Sequence, residues 1–452
     1  MLRVKTFASA LALVFLLPAV LLPVAAVAQV DTGTANFTRY VAIGDSLTAA
    51  FMSGGLSRTA QLSSYPILIN RQATGQTTGF EQPFVSDPGI PALLELKSLA
   101  PLNIGPRAGS GQPQNLNLPR PYNNLAVPGA DVHDVVATVT DNGGLHDLIL
   151  RGIGTQLQQA VALQPTFTTI WIGNNDVLGA ALAGRVIEGV TITPVANFQA
   201  DFRTIVDTIA GTGSRMAIAN IPDVTGIPFV TTIPFVVVNP ATNQPVIVNG
   251  QPVPLIGPNG LLTPGDRVLL TARAELTQGR GIPTALGGTG QPLSDAAVLS
   301  AAEISSINAR VAAFNSFIQS EAARVGAAFV DMNATFRVVA NEGLDVGGLT
   351  FTENFLTGGV FSYDGVHPNA FGYAYIANLF IEEINDQFGG EIPLVNLFPF
   401  IFGPDASTQT STAAVETAEG GILTSAAVRN LFWALDIKTE APKGRKPRKG
   451  RK

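Results

Sequence analysis

The sequence predicts an α/β protein in which a parallel sheet of about five strands carries helices on both faces and is interrupted by two long insertions. Two observations carry that prediction. Short apolar runs rich in β-branched residues recur at Tyr40 to Ile43, Leu125 to Val127, Thr168 to Ile172, Met216 to Ile221 and Ala328 to Met332, as buried strands require. Between several of them, residues 153 to 164, 198 to 211 and 299 to 325 space their apolar side chains near the helical period. Strands alternating with helices build a parallel sheet covered on both sides.

Taken in chain order, residues 1 to 28 open with Arg3 and Lys5, stay apolar from Phe7 to Val24 and end in Ala26-Val27-Ala28. That is the pattern of a cleaved secretory signal peptide, and Pro18 and Pro23 suit a leader better than a membrane span. A secreted or periplasmic protein is expected. The main domain then covers 29 to 400. Its insertions, at about 55 to 120 and 223 to 296, are rich in Gly, Pro, Gln and Asn. Structureless loops of such length are uncommon in compact domains, so each is expected to be functional or partly structured, as a wall or lid or as surface decoration. In the second, Phe235 to Val238 and Val246 to Val248 suit a hairpin, and Asn249-Gly250 a further tight turn.

The last helix of the domain, from about Ala370 to Gln387, sets Tyr373, Ile376, Ala377, Phe380, Ile381 and Ile384 on one stripe, with Gly389 as its stop. A polar linker is expected over 401 to 420. A short amphipathic helix and a basic tail follow at 421 to 452.

Composition narrows the chemistry. Of 452 residues 46% are hydrophobic and only 13% charged, about half the usual share of roughly 25%. The absence of cysteine excludes disulfides, thiolate metal sites and a cysteine nucleophile. With three histidines spread along the chain, no metal or cofactor is expected. Net charge is −6, yet seven cations (Lys443, Arg445, Lys446, Arg448, Lys449, Arg451 and Lys452) crowd the C-terminus, which leaves −13 for the rest. Such an acidic body argues against nucleic acid, while the tail suits an anionic envelope surface.

Ser46 lies in Ile43-Gly44-Asp45-Ser46-Leu47-Thr48, where a strand runs into a turn and then into residues able to start a helix. A hydroxyl there stands at the carboxyl end of a parallel strand, where open α/β sheets bind ligands, and a helix start offers backbone donors to a developing oxyanion. Serine needs a base. Of His133, His146 and His367, only the last has a suitable setting, in Asp364-Gly365-Val366-His367-Pro368 directly before the final helix. An aspartate three residues ahead, across a glycine turn, reaches the imidazole and holds its tautomer. Two strand ends offer oxyanion donors: Ala126-Val127-Pro128-Gly129-Ala130 through a glycine amide, and Ile172-Gly173-Asn174-Asn175-Asp176 through a side-chain amide.

These four pieces, in this order, resemble the block set of the GDSL or SGNH hydrolases, and the likeness extends as a framework over about 38 to 388. Asn220-Ile221-Pro222-Asp223-Val224 and Gly359-Val360-Phe361-Ser362 are also similar to bacterial exported members. The resemblance implies a three-layer α/β/α flavodoxin-like fold over 29 to 400 and hydrolysis of carboxylic esters, of small molecules or lipids, without a cofactor. It further implies Ser46 as nucleophile, His367 as base, Asp364 as its orienter, and Gly129 and Asn175 with the Ser46 amide as oxyanion hole. A carbohydrate O-acetylesterase is the alternative substrate class. An inactive binding protein with the same fold is the alternative from outside the enzymes.

Overall fold

The computed structural model describes residues 29–99 and 102–402. At its centre four strands, β1 (Tyr40–Gly44), β2 (Phe167–Trp171), β3 (Arg215–Ala219) and β4 (Ala328–Val330), pair in that order and all run parallel. Register aligns Ile43 with Ile170 and Ile170 with Ile218. Every residue of β1 and β2 is buried, as a parallel sheet covered on both faces demands.

The helices that flank the sheet are, in chain order, α1 (Ser46–Ala49), α2 (Tyr65–Thr74), α3 (Val132–Ala137), α4 (Gln156–Ala162), α5 (Asn175–Ala183), α6 (Val195–Gly211), α7 (Ala301–Val325), α8 (Met332–Asn341) and α9 (Ala370–Phe388). Alternation along the strands sorts them into layers. Val41, Ile43, Ile170, Met216 and Ile218 share one core with α3, α4, α6 and α7, whereas Tyr40, Ala42, Phe167, Trp171 and Ala217 share another with α2 and α9.

The three long predicted helices form where the spacing places them. α7 starts at a capping box between Ser300 and Glu303 and stops at Gly326, φ 64°. α9 is capped by Asn369 and stops at Gly389, φ 67°. On α6, Phe198, Phe202, Ile205, Val206 and Ile209 are buried, and Phe198 stacks on Phe314 of α7 at 3.8 Å. Emptying such a site costs about 3–5 kcal/mol.

The expected fifth strand is not a regular one. Residues 123 to 127 do run beside β1, through Ala42 N–H to Asn123 O at 2.8 Å, Leu125 N–H to Ala42 O at 2.9 Å and Val127 N–H to Gly44 O at 3.1 Å. However, the Asn124 side chain accepts from Ala126 N–H and Asn123 reaches Tyr40 O, so side chains replace part of the ladder before Pro128 ends it. Counting this stretch, the spatial order is the flavodoxin-like one, whose crevice opens where the order reverses, at the carboxyl ends of β1 and β2.

Both insertions are partly structured. The first supplies α2, capped by Ser64 with Pro66 in its first turn; Tyr65 stacks on Phe380 of α9 at 4.5 Å. In the second, Val246 N–H bonds Val237 O, Val238–Asn239 pairs with Gln244–Pro245, and the Asn249-Gly250 turn joins Ile247–Val248 to Gln251–Pro252. A small apolar core of Val237, Leu255, Val268, Leu293 and Val298 holds it together. Among the described residues no helix is long and apolar enough to cross a membrane. The leader expected at 1 to 28, the linker beyond 402 and the helix and basic tail at 421 to 452 lie outside them.

Candidate active site

Gly44 ends β1 against the sheet so closely that a Cβ there would meet Thr48 Oγ1 at 2.1 Å and Trp171 O at 2.6 Å. Next, Asp45 caps α1, accepting from Leu47 N–H at 3.0 Å. Ser46 is thereby the first residue of the helix, 3% exposed, with a backbone N–H of the kind a helix start leaves without an intrahelical acceptor.

The base end is a loop between Val360 and α9. Asp364 is fully buried and accepts five hydrogen bonds: to Oδ1 from Ser362 Oγ at 3.1 Å and from the Val366 and His367 amides at 2.9 Å each, and to Oδ2 from Gly54 N–H at 2.9 Å and His367 Nδ1 at 3.0 Å. Burial pushes its carboxyl up, but the adjoining His367 and these donors outweigh it and hold it below the ordinary aspartate range. Gly365, at φ 71°, makes the turn between the two residues. His367 is 1% exposed, and its Nε2 is buried without a hydrogen-bond partner.

Side chains tie this end to the nucleophile turn. Phe51 donates its N–H to Ser46 O at 2.9 Å, and its ring lies 4.9 Å from the His367 imidazole. Its carbonyl accepts from Tyr373 Oη at 2.6 Å, so the residue is held from both sides. Asp45, also fully buried, has its carboxyl pushed up to about 6 by burial, against hydrogen bonds from Asn174 and Leu47 and the pull of His367. No hydrogen bond joins Ser46 to His367 Nε2 among the described residues.

The expected oxyanion donors come together at the neighbouring strand ends. Asn175 opens α5 and gives one Nδ2 hydrogen to Ala130 O at 2.9 Å, which fixes its amide beside Gly129 and leaves the second hydrogen to donate. Gly129 sits at φ 88°, a region that disfavours any side chain. Both line a polar groove of about 470 Å³ with Asp131, His133, Asn197 and Asp201. A separate apolar cleft of about 110 Å³ has Leu47, Trp171, Phe336, Val366, Pro368 and Phe371 in its walls but none of Ser46, Gly129, Asn175 or His367. His133 pairs with Asp201 at 3.0 Å, and His146 with Asp141 at 3.1 Å; neither contacts Ser46.

Several members of this network escaped the sequence. Asn174, which donates to Asp45 Oδ2 at 2.8 Å, stands beside Asn175 and differs from it only in where its side chain points. Ser362 stands two residues before Asp364, a local signal for a hydroxyl partner. Gly54 contributes a backbone amide from 310 residues away, for which no local signal exists.

Twelve chains of solved structures resemble this one significantly. An acetylxylan esterase from Geobacillus stearothermophilus is 14% identical, with 76% of this chain and 93% of that one covered and a TM-score of 0.36. A lipase/acylhydrolase from Enterococcus faecalis is 14% identical over 79% and 100%, TM-score 0.32. An extracellular lipase from Streptomyces rimosus is 15% identical over 77% and 98%, TM-score 0.32. No curated protein sequence matches significantly. The GDSL-like lipase/acylhydrolase family model matches residues 40–380, a span with the whole sheet and every candidate site residue, and the chain belongs to that family of ester-hydrolysing enzymes.

Proposed function

We propose that this chain cleaves carboxylic esters through an acyl-serine intermediate, with Ser46 as nucleophile, His367 as general base and Asp364 as the residue that orients it. The observation that carries this is the His367 imidazole, bound through Nδ1 to Asp364 while Nε2 is buried and unpartnered. With Nδ1–H donated to a carboxylate, Nε2 carries the lone pair that takes the Ser46 proton as the hydroxyl attacks the carbonyl. The proton then passes to the leaving alcohol, and water repeats the sequence to free the acid. The Ser46 amide, Gly129 N–H and Asn175 Nδ2 are the donors for the tetrahedral oxyanion, each worth about 3 kcal/mol. A fluorophosphonate probe should label Ser46 and no other serine, and Ser46→Ala should lose p-nitrophenyl ester hydrolysis. Near wild-type turnover by that variant would overturn the assignment and favour an inactive binding protein.

A second reading, removal of O-acetyl groups from carbohydrate, is favoured by the polar groove beside Gly129 and Asn175, whose carboxylates and Asn197 suit a hydroxyl-rich alcohol. Acetate release from acetylated sugars at rates above those for simple alkyl acetates is its test. Export rests on the pattern of residues 1 to 28. N-terminal sequencing of the secreted protein should begin after Ala28.

A further inference from the structure

We propose that the apolar cleft between α8 and α9 is the docking site for the chain's own residues 421 to 436, with the basic end at 443 to 452 laid on the acids beside it. The cleft has Phe336 and Val339 of α8, Phe371, Ile376 and Leu379 of α9, and Leu344 of the hairpin Leu344–Val346/Leu349–Phe351 in its walls. Val338, next to Val339 on α8, and Leu349, on the second strand of the hairpin, are exposed to solvent. Large apolar side chains grouped in this way mark a surface that something covers.

Two observations name the occupant. The first is where the described chain ends. Its last helix, Phe398–Phe402, sets Phe398 against Gly347 at the hairpin's turn, where a Cβ would meet that ring at 3.1 Å. Gly347 is three residues, about 10 Å of strand, from Leu344 in the cleft wall. Phe398 and Phe402 are themselves exposed. From there residues 403 to 420 reach about 60 Å when extended, far more than the cleft requires.

The second is complementarity. From Val338 to Phe402 the chain has no lysine or arginine. Along α9 the stripe of Tyr375, Ile376 and Leu379 in the cleft wall continues as Glu382, Glu383 and Asp386. Partial burial and the neighbouring acids push the Glu382 and Glu383 carboxyls up, as befits acids grouped together. Glu342 and Asp345 are exposed on either side of Leu344. The tail has the same order. Val428, Leu431, Phe432 and Leu435 repeat at the spacing of one apolar helix face, and seven cations without an acid follow from Lys443 to Lys452. The apolar face meets the cleft, and the cations meet the acids. Because the linker keeps both on one chain, the tail meets this surface at a high effective concentration that a free partner would have to match.

The chain has no cysteine, so a pair introduced into the full chain reports the contact directly. Val338→Cys with Asn430→Cys should form an intramolecular disulfide on mild oxidation at least about tenfold faster than Val161→Cys with Asn430→Cys. Val161 is also exposed, but on α4, on the other face of the sheet from α9. Adding Leu435→Asp, a change in the tail alone, should bring the first rate down to the second, and raised salt should slow the first pair by screening the cations. Thermal melts confirm that each variant is folded. Equal rates for the two pairs, a bridge that survives Leu435→Asp, or a disulfide that joins two chains instead of closing one overturns the proposal. So does loss of the bridge when phosphatidylglycerol vesicles bind the chain, which would make a membrane surface the partner of the tail.

Discussion

Asp45 and Asp364 are both fully buried carboxyls beside His367, and their pKa values move in opposite directions. Burial is common to them; the donors are not. Asp364 lies in a loop that turns two amides, the Ser362 hydroxyl, the imidazole and a distant Gly54 amide onto its oxygens. Asp45, in the tight turn between β1 and α1, receives two, from Leu47 and Asn174. The base end is therefore built to keep a charge, and the nucleophile end to sit near the point of losing one.

The most direct way to break that contrast is Asp364→Asn. The variant keeps the shape of the loop but no longer fixes the Nδ1–H tautomer, and kcat should fall by about 10⁴-fold. A fall of less than tenfold in ester turnover would remove Asp364 from the orienting role. Phe51→Ala removes the ring that packs on the imidazole while keeping the backbone amide that serves Ser46, so it cuts one half of the link between the two ends. Loss of a fully buried ring should lower stability by about 3–5 kcal/mol in urea unfolding, and turnover of the folded remainder should fall with it. Unchanged turnover would show the two ends to be held by other contacts.

Asp45→Asn tests the other carboxyl through pH. Its folded value of about 6 lies above the unfolded one, so Asp45 contributes stability below pH ~4 that is lost as pH rises through about 6. Asparagine is neutral throughout and still caps α1, and Asn174 can turn its unpartnered Oδ1 toward it. At pH 7 the variant should match or exceed wild type, by on the order of 2 kcal/mol, with the difference vanishing near pH 4. Parallel stability profiles from pH 4 to 7 would refute the burial argument.

What the sequence made legible follows the same division. The strands of the sheet and the helices α6, α7 and α9 were readable because burial imposes a period on side chains. The five candidate residues stand out as candidates because each sits in a short motif at a strand or helix end. α2 is hard to see within the first insertion, although Ser64 and Pro66 mark a helix start, because Gly, Pro and Gln elsewhere in the segment dilute the signal. The fifth strand is less regular than its apolar run predicts because asparagine side chains, not apolar spacing, decide how 123 to 127 pairs. Gly54 and Phe51 act through contacts that only the closed fold creates, so no local pattern announces them.

Ser362 offers the finest test, since it touches Asp364 without touching the imidazole. Its Oγ donates to Asp364 Oδ1 at 3.1 Å and accepts from Ser53 N–H at 2.8 Å. Ser362→Ala removes one of five donors and the acceptor for that amide, which should cost about 1–2 kcal/mol of stability. Because the folded pKa of Asp364 lies below its unfolded value, its stabilisation is present above the unfolded pKa and is lost as pH falls through the folded one. With a donor gone, the folded value moves up toward the unfolded one, so the variant should lose less of its remaining stability on acidification than wild type does. Urea midpoints measured from pH 6 down to 3 should show this shallower acid limb. An acid limb as steep as wild type, with the whole curve simply lowered, would mean that Ser362 holds the loop through Ser53 and contributes nothing to the charge on Asp364.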